Sequence, residues 1–448
     1  LHKFIVIGFV RCLPDKVLPP ILQIALDFLD LPRAVAVAGE ALKGGADWLE
    51  AGTPLIKSEG LEAVRELKRR WPDHMIVADL KTMDAGRFEM EPAAKAGAGI
   101  AGVLGAASDA TIAECIEVAG NYGLEVIVDM IEVDDIVRRS QQAEQMGAHY
   151  IGIHTAIDRQ MLGKASLELV HEVKEAVRIP VSVAGGINSE TAAEAAEAGA
   201  DIIVVGGAVI KAADAEKAAR ELRQAIDSRT AIKTSLYKRA DAGNVRQALE
   251  TVSTANISDA MHRSGDLPGL KPVYPDIRMA GPVVTVRTYP GDWAKPVEAI
   301  DRAAAGEVIV IDAGGVGPAV WGELATHSAR ERKISGVVIF GAVRDTPEIR
   351  ELEFPVFASL ATPTAGEPKG FGEINVPVTV AGVRINPGDW LVGDNDGVVV
   401  IPKSRVVEVA NRSMDVLERE NRLRQEIQDG STLSEVAYLE KWEKTQGS

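Results

Sequence analysis

The chain has 448 residues, 46% hydrophobic and 25% charged, with a formal net charge of −16. That length exceeds one ordinary hydrophobic core and predicts two domains. The acidic balance argues against nucleic acid as the main partner, because a phosphate backbone demands excess Lys and Arg.

Two cysteines, Cys12 and Cys115, exclude a disulfide framework and a multi-thiolate metal site, and they suit a reducing cytoplasm. No apolar run approaches the roughly 20 residues that span a bilayer. Residues 1–20 hold a short apolar run, but Arg11 and Asp15 stand where a signal peptide would place its small-residue cleavage site. They read as a lead-in or an extra strand.

From residue 21 to 228 short apolar runs alternate with helical patterns. The strands are predicted at 21–27, 47–50, 75–81, 100–105, 125–129, 150–154, 180–184 and 201–205, with Ala-, Glu- and Lys-rich helices between them, such as 60–71 and 190–198. Continuous apolar strands alternating with helices predict a parallel sheet covered on both faces. Eight such units fit a (β/α)8 TIM barrel, with a doubly wound sheet as the competing architecture.

Within this region the stretch 75–86 is the most informative. It begins as the apolar strand Met75-Ile76-Val77-Ala78 and turns polar at Asp79 and Lys81, with Asp84 in the following loop. Strand alternation predicts that Asp79 and Lys81 point to one side. Asp27, Glu50, Asp129 and His154 close other strands, so carboxylates, one Lys and one His gather on the rim where barrel active sites lie. Grouped carboxylates repel unless a cation or substrate compensates them, and Glu50 and Asp79 on adjacent strands suit a shared Mg²⁺. The seventh and eighth strands run instead into Gly185-Gly186 and Gly206-Gly207. Loops seven and eight are a barrel's usual phosphate site, and glycines let the backbone approach an anion. The inferred substrate is a small sugar phosphate. His154 is the candidate for proton transfer, because imidazole is the side chain whose ordinary pKa lies near working pH.

Ala25-Leu26-Asp27, Leu49-Glu50-Ala51-Gly52-Thr53, Ala78-Asp79-Leu80-Lys81, Asp84-Ala85-Gly86, His154 and the two Gly-Gly loops together resemble the 3-hexulose-6-phosphate synthase family. That family belongs to the orotidine-phosphate decarboxylase suprafamily of TIM barrels. The resemblance implies Mg²⁺ at Glu50 and Asp79, and phosphate held by backbone amides around Gly186, Gly206 and Gly207. It also implies two subunits completing each site, with Asp84 serving the partner's pocket. The implied reaction joins formaldehyde to ribulose 5-phosphate, or reverses that step, through a 1,2-enediolate. A 3-keto-gulonate-6-phosphate decarboxylase is the related alternative. It tends to carry Glu where Asp129 stands and Arg where Gly207 stands.

Residues 229–243 read as a polar linker and 244–430 as a second α/β domain. Its strands are predicted at 283–287, 308–312, 336–340, 376–380 and 397–401. A charged helix over 405–428 carries Val406, Val407, Ala410, Met414, Leu417 and Leu423 on one stripe, and 431–448 is a tail. Ile257-Ser258-Asp259-Ala260-Met261, Val310-Ile311-Asp312-Ala313-Gly314-Gly315, Trp321-Gly322-Glu323-Leu324 and Gly341-Ala342-Val343-Arg344-Asp345 stand out. The later Pro387-Gly388-Asp389 and Asp394-Asn395-Asp396-Gly397 join them. Together they resemble the family uniting the RNase E regulator with 4-hydroxy-4-methyl-2-oxoglutarate aldolase. Aldolases of that family place an acid, then Arg-Asp at the distance that separates Glu323 from Arg344 and Asp345. The candidate set is Glu323, Arg344 and Asp345 with Gly314, Gly322 and Leu324, and it suits a second Mg²⁺. Either the chain is a bifunctional lyase, or an enzyme carries a non-catalytic regulatory module. The resemblances imply a homo-oligomer, dimeric through the barrel and trimeric through the second domain.

Overall fold

The computed structural model describes residues 19–156, 161, 167–234, 236, 239–437 and 439. The extra strand expected before residue 19 lies outside the described residues. The described residues fall into two compact units, 19–156 with 167–234, and 161 with those from 236 onward.

The first unit is a closed parallel barrel of strands β1 (Ile21–Leu26), β2 (Trp48–Ala51), β3 (Met75–Thr82), β4 (Ile100–Leu104), β5 (Glu125–Asp129), β6 (Tyr150–His154), β7 (Val181–Ala184) and β8 (Ile202–Val205). Alternate side chains divide between two cores. Leu22, Ile24, Leu49, Ile76, Val126, Ile151, Val183 and Ile203 face the helices in the larger core. Ala25, Ile202 and Val204 fill the interior with Ile21, Trp48 and Tyr150. The Trp48 and Tyr150 rings meet edge to face at 6.0 Å, which plugs the barrel's lower half and leaves polar side chains to its mouth. Helix starts are set by short polar caps. Asp30 accepts from the Arg33 amide ahead of helix Leu31–Lys43, and Ser108 accepts from the Thr111 amide ahead of helix Asp109–Tyr122. Residues expected to be a linker are bonded locally at their first half. The Ile232 amide donates to the Ser189 carbonyl at 3.0 Å, and the Thr234 amide to Glu190 at 3.1 Å.

The second unit is built on one mixed sheet. Its strands are β9 (Lys271–Pro272), β10 (Met279–Arg287), β11 (Val308–Asp312), β12 (Ala319–Trp321), β13 (Gly336–Val343), β14 (Val356–Ala361), β15 (Glu373–Ile374), β18 (Trp390–Gly393) and β19 (Val398–Ile401), with a separate hairpin of β16 (Val378–Val380) and β17 (Val383–Ile385). Strands β10, β11, β13 and β14 run parallel, so the loops after them share one edge of the sheet. The predicted strand at 376–380 is realised as half of the small hairpin. Strands β12, β14 and β18 were not expected, because each is short or ends in small and polar residues. The helix Val406–Gln428 forms, with Ala410 and Met414 buried as the apolar stripe predicts. Its buried face is more polar than expected, for it also covers Asn411, Ser413, Asp415, Glu418 and Arg422. Asn411 explains part of this. Its amide is buried against Ala240, accepting from that residue's N–H at 2.6 Å and donating to its carbonyl at 3.0 Å.

Candidate active site

Inward-facing positions at the ends of five barrel strands deliver the polar side chains. Glu50 on β2 is 9% exposed, and the buried Gln23 on β1 donates its amide to Glu50 Oε2 at 2.5 Å. Asp79 on β3 accepts from the Thr53 hydroxyl at 2.8 Å and from Lys81 Nζ at 2.7 Å. Lys81 Nζ also donates to Asp129 Oδ2 at 2.9 Å, and His154 Nδ1 lies 3.0 Å from that same oxygen. Asp129 Oδ1 accepts the Ile131 amide at 2.9 Å. Carboxylate, ammonium, carboxylate and imidazole therefore form one continuous chain across β3, β5 and β6.

Asp79 and Lys81 do converge, though simple alternation is not the reason. The pairing of β3 with β4 slips between Ala78 and Thr82, and Lys81 sits at φ 52°, a left-handed conformation rare for a side-chain-bearing residue. That local strain turns the lysine back over Asp79, and strain of this kind collects where a site needs it.

The electrostatics follow from burial and crowding. Burial first, then the Asp79 and Asp27 carboxylates, push Glu50 up from 4.5 to about 8, against the opposing pull of Lys81 and Gln23. Burial opposes ionisation of Asp129 too, but the His154 hydrogen bond and charge and Lys81 outweigh it and hold Asp129 down at about 2. Burial disfavours the Lys81 ammonium, while Asp129 and Asp79 overcome it and keep the amine charged well above its ordinary range.

Asp27 is exposed at the end of β1, and its side chain lies across the neighbouring loops. A Cβ at Gly52 would stand 2.2 Å from Asp27 Oδ1, and one at Gly206 would stand 3.3 Å from Oδ2. Asp84 is exposed in the loop after β3. Gly185 and Gly186 adopt φ of 100° and 74°, a backbone that only glycine takes without strain. Gly206 and Gly207 open the short turn Gly207–Ile210 after β8.

The donor set at the mouth suits a hard divalent cation. Glu50 and Asp79 offer carboxylate oxygens, and the mutual repulsion that lifts Glu50 is what such an ion relieves. Among the described residues no group of three or more His, Cys, Asp or Glu side chains is arranged to enclose a metal. A cation here would therefore take its remaining positions from water or substrate. Gln23 and Thr53 were not assigned roles from the sequence. The signal for Gln23 was available, as a lone amide on the inward parity of an otherwise apolar strand.

In the second unit the strand ends bring Glu323, Arg344 and Asp345 together. Asp345 Oδ2 accepts the Glu323 amide at 3.2 Å and Arg344 Nε at 3.2 Å. A Cβ on Gly322 would stand 2.6 Å from that same oxygen, so a side chain there would displace the Asp345 carboxylate. His327 Nε2 lies 2.9 Å from Glu323 Oε1, one helical turn along Glu323–Glu331. Spacing alone could have paired those two. Gly314 donates its amide to Asp312 Oδ1 at 3.2 Å, and Leu324 is 80% exposed.

Residues 20–222 match the Orotidine 5'-phosphate decarboxylase / HUMPS family, and residues 254–400 match the RraA-like family, Aldolase/RraA. The 3-hexulose-6-phosphate synthase of Mycobacterium gastri is 40% identical over 205 residues, which are 46% of this chain and 99% of the relative. That of Bacillus subtilis is also 40% identical, over 206 residues, 46% of this chain and 98% of the relative. The structure of the RNA-processing inhibitor RraA from Thermus thermophilis is 35% identical and covers 34% of this chain and 93% of its own, with a TM-score of 0.32. The chain belongs, through its barrel, to the orotidine 5'-phosphate decarboxylase / HUMPS family, among the 3-hexulose-6-phosphate synthases, and it carries an RraA-like domain behind that barrel.

Proposed function

We propose that the barrel catalyses aldol addition of formaldehyde to ribulose 5-phosphate, giving 3-hexulose 6-phosphate, or the reverse cleavage. The observation that carries this reading is the single Lys81 ammonium shared between Asp79 and Asp129, with His154 on the second carboxylate. His154 Nδ1 is engaged by Asp129, so Nε2 is the nitrogen left to take a proton from C1 of the pentulose phosphate. The resulting 1,2-enediolate carries negative charge that the fixed Lys81 ammonium stabilises without reorganising. C1 then attacks the formaldehyde carbon, and the new alkoxide recovers the proton from the imidazolium. Mg²⁺ held by Glu50 and Asp79 would supply further charge stabilisation at the enediolate oxygens. Asp27, crossing from β1 to Gly52 and Gly206, is placed to hold a substrate hydroxyl, and Gly185, Gly186, Gly206 and Gly207 offer backbone to the phosphate.

A coupled assay of ribulose 5-phosphate with formaldehyde tests the reading directly. Asp79→Asn should lose activity and metal dependence together, and an Asp79→Asn chain that still responds to Mg²⁺ would refute the assignment.

For the second domain we infer a metal-dependent aldolase or decarboxylase site for a pyruvate-type carboxylate, clamped by Arg344 and served by Glu323 and Asp345. The contiguity of those three groups supports it. Their exposure favours the other reading, a regulatory module, and oxaloacetate decarboxylation separates the two.

A further inference from the structure

We propose that the segment 229–234, which follows helix Ala215–Ser228, is a strap that holds loop seven in shape for a phosphate, with Ser189 and Ile232 as its positioning residues. This rests on the sugar-phosphate reading of loops seven and eight and deepens it.

Loop seven has little of its own to hold it. Gly185 and Gly186 follow β7 with φ of 100° and 74°. Among the described residues the amides of Gly185, Gly186 and Ile187 donate to no backbone carbonyl, which leaves them for an anion. One end of the loop is pinned, for the Thr155 amide donates to the Ala184 carbonyl at 3.1 Å. At the other end Asn188 Oδ1 accepts the Glu190 and Thr191 amides at 2.8 and 3.2 Å, ahead of helix Thr191–Glu197. Glycines lose more backbone freedom on ordering than other residues. A ligand that must order a glycine pair binds weakly unless the flanks are held beforehand.

The strap supplies that hold from outside the loop. Helix Ala215–Ser228 stops at Arg229, whose φ of 49° is left-handed, and the Arg229 and Thr230 amides both return to the Ala225 carbonyl. That turn brings the chain back to loop seven. Residues 231–234 alternate exposed and half-buried, with Ile232 and Thr234 on the inner side. The Ile232 amide donates to the Ser189 carbonyl at 3.0 Å, and the buried Ser189 hydroxyl donates to the Ile232 carbonyl at 2.9 Å. The hydroxyl thus stands in for the second backbone rung of an antiparallel pair. The Thr234 amide adds a bond to Glu190 Oε1 at 3.1 Å. Both residues that follow Asn188 are therefore fastened to the strap. Residues 229–234 lie in neither family match, 20–222 or 254–400, so neither match accounts for this hold.

Steady-state kinetics of the full chain, with calorimetric titration of inorganic phosphate, test this. Ser189→Ala removes the hydroxyl bond and Ile232→Pro removes the amide bond, whereas Ile232→Val keeps both. Each of the first two should raise KM for ribulose 5-phosphate by about 3- to 10-fold, the effect of one hydrogen bond, and weaken inorganic phosphate binding by the same factor. They should leave kcat and the KM for formaldehyde nearly unchanged, and Ile232→Val should match wild type. A lower melting temperature with no change in KM or phosphate affinity would mean that the strap only stabilises the barrel, and would overturn the proposal. So would a loss confined to kcat. Should Ile232→Pro fail to fold, Ser189→Ala decides alone. A wild-type chain that binds neither inorganic phosphate nor ribulose 5-phosphate would overturn the phosphate reading of the loops, and the strap's role with it.

Discussion

The barrel mouth and the strand ends of the second domain hold the same kinds of side chain in different dielectric surroundings. In the barrel the Asp79, Lys81 and Asp129 side chains are 17%, 23% and 12% exposed, and one lysine bridges the two carboxylates. In the second domain the Arg344 and Asp345 side chains are 42% and 33% exposed, and Glu323 pairs with His327 at the surface. Burial decides what these groups are worth, since the same charge acts far more strongly away from water. The barrel site is preorganised before substrate arrives. The charges at the second set of strand ends are screened by water, so they would act strongly only once a ligand desolvated them.

Equivalent deletions should separate the two sites most sharply. Lys81→Met leaves Asp79 and Asp129 facing each other without their shared cation. Breaking a buried pair costs roughly 3–5 kcal/mol, and the lower end applies because the Lys81 side chain is 23% exposed. Barrel activity should fall by on the order of a thousandfold or more. Arg344→Ala should change stability by less than about 0.5 kcal/mol. If the second site is catalytic, that variant should still lose at least about tenfold in Mg²⁺-dependent oxaloacetate decarboxylation. Chemical denaturation with both assays on both variants checks this. A Lys81→Met chain as stable as wild type would erase the contrast, and an unchanged decarboxylation rate in Arg344→Ala would leave the second domain regulatory.

The contrast also explains what could be read without coordinates. The barrel strands were legible because they are short, mostly apolar runs alternating with helices, and polar residues closing several of them placed Glu50, Asp79, Asp129 and His154 at the barrel rim. What parity could not supply was the slip between Ala78 and Thr82 and the left-handed Lys81, since tertiary context alone selects a strained backbone. The second domain was less legible because β12 and β18 are short, and β14 ends in the small and polar run Ala358-Ser359-Leu360-Ala361. The helix Val406–Gln428 shows the complementary failure. A stripe drawn from apolar residues cannot foresee that Asn411 is buried to bind the backbone of Ala240.

A smaller effect tests whether Glu50 and Asp79 hold a metal as proposed. Gln23 supports Glu50 from below, as amides behind metal ligands often do, and removing such support typically costs about 10- to 100-fold in metal affinity. Gln23→Leu keeps volume and deletes the donor, so calorimetric titration of the chelator-treated chain with Mn²⁺ should show a loss near the lower end, about tenfold. Equal affinity in the two chains would mean that Gln23 merely fills the barrel interior.

The smallest expected change is in the pH dependence of stability. Glu50 titrates near 4.5 in an unfolded chain and at about 8 in the folded metal-free barrel. Between those values the folded state holds a proton that the unfolded state has released, so stability must fall as pH rises. Asp129 works in the opposite sense, but its shift from 3.8 to about 2 confines that effect to acid below this window. In EDTA the barrel's melting temperature should therefore drop between pH 5 and pH 8 by on the order of 5 °C. Glu50→Gln should flatten the drop. Mg²⁺ should oppose it, because a cation replaces the proton as the partner of Glu50 and Asp79. A melting temperature that is level from pH 5 to 8 in EDTA would show that neither burial nor the neighbouring carboxylates hold a proton on Glu50, and the electrostatic contrast between the barrel mouth and the second site would be lost.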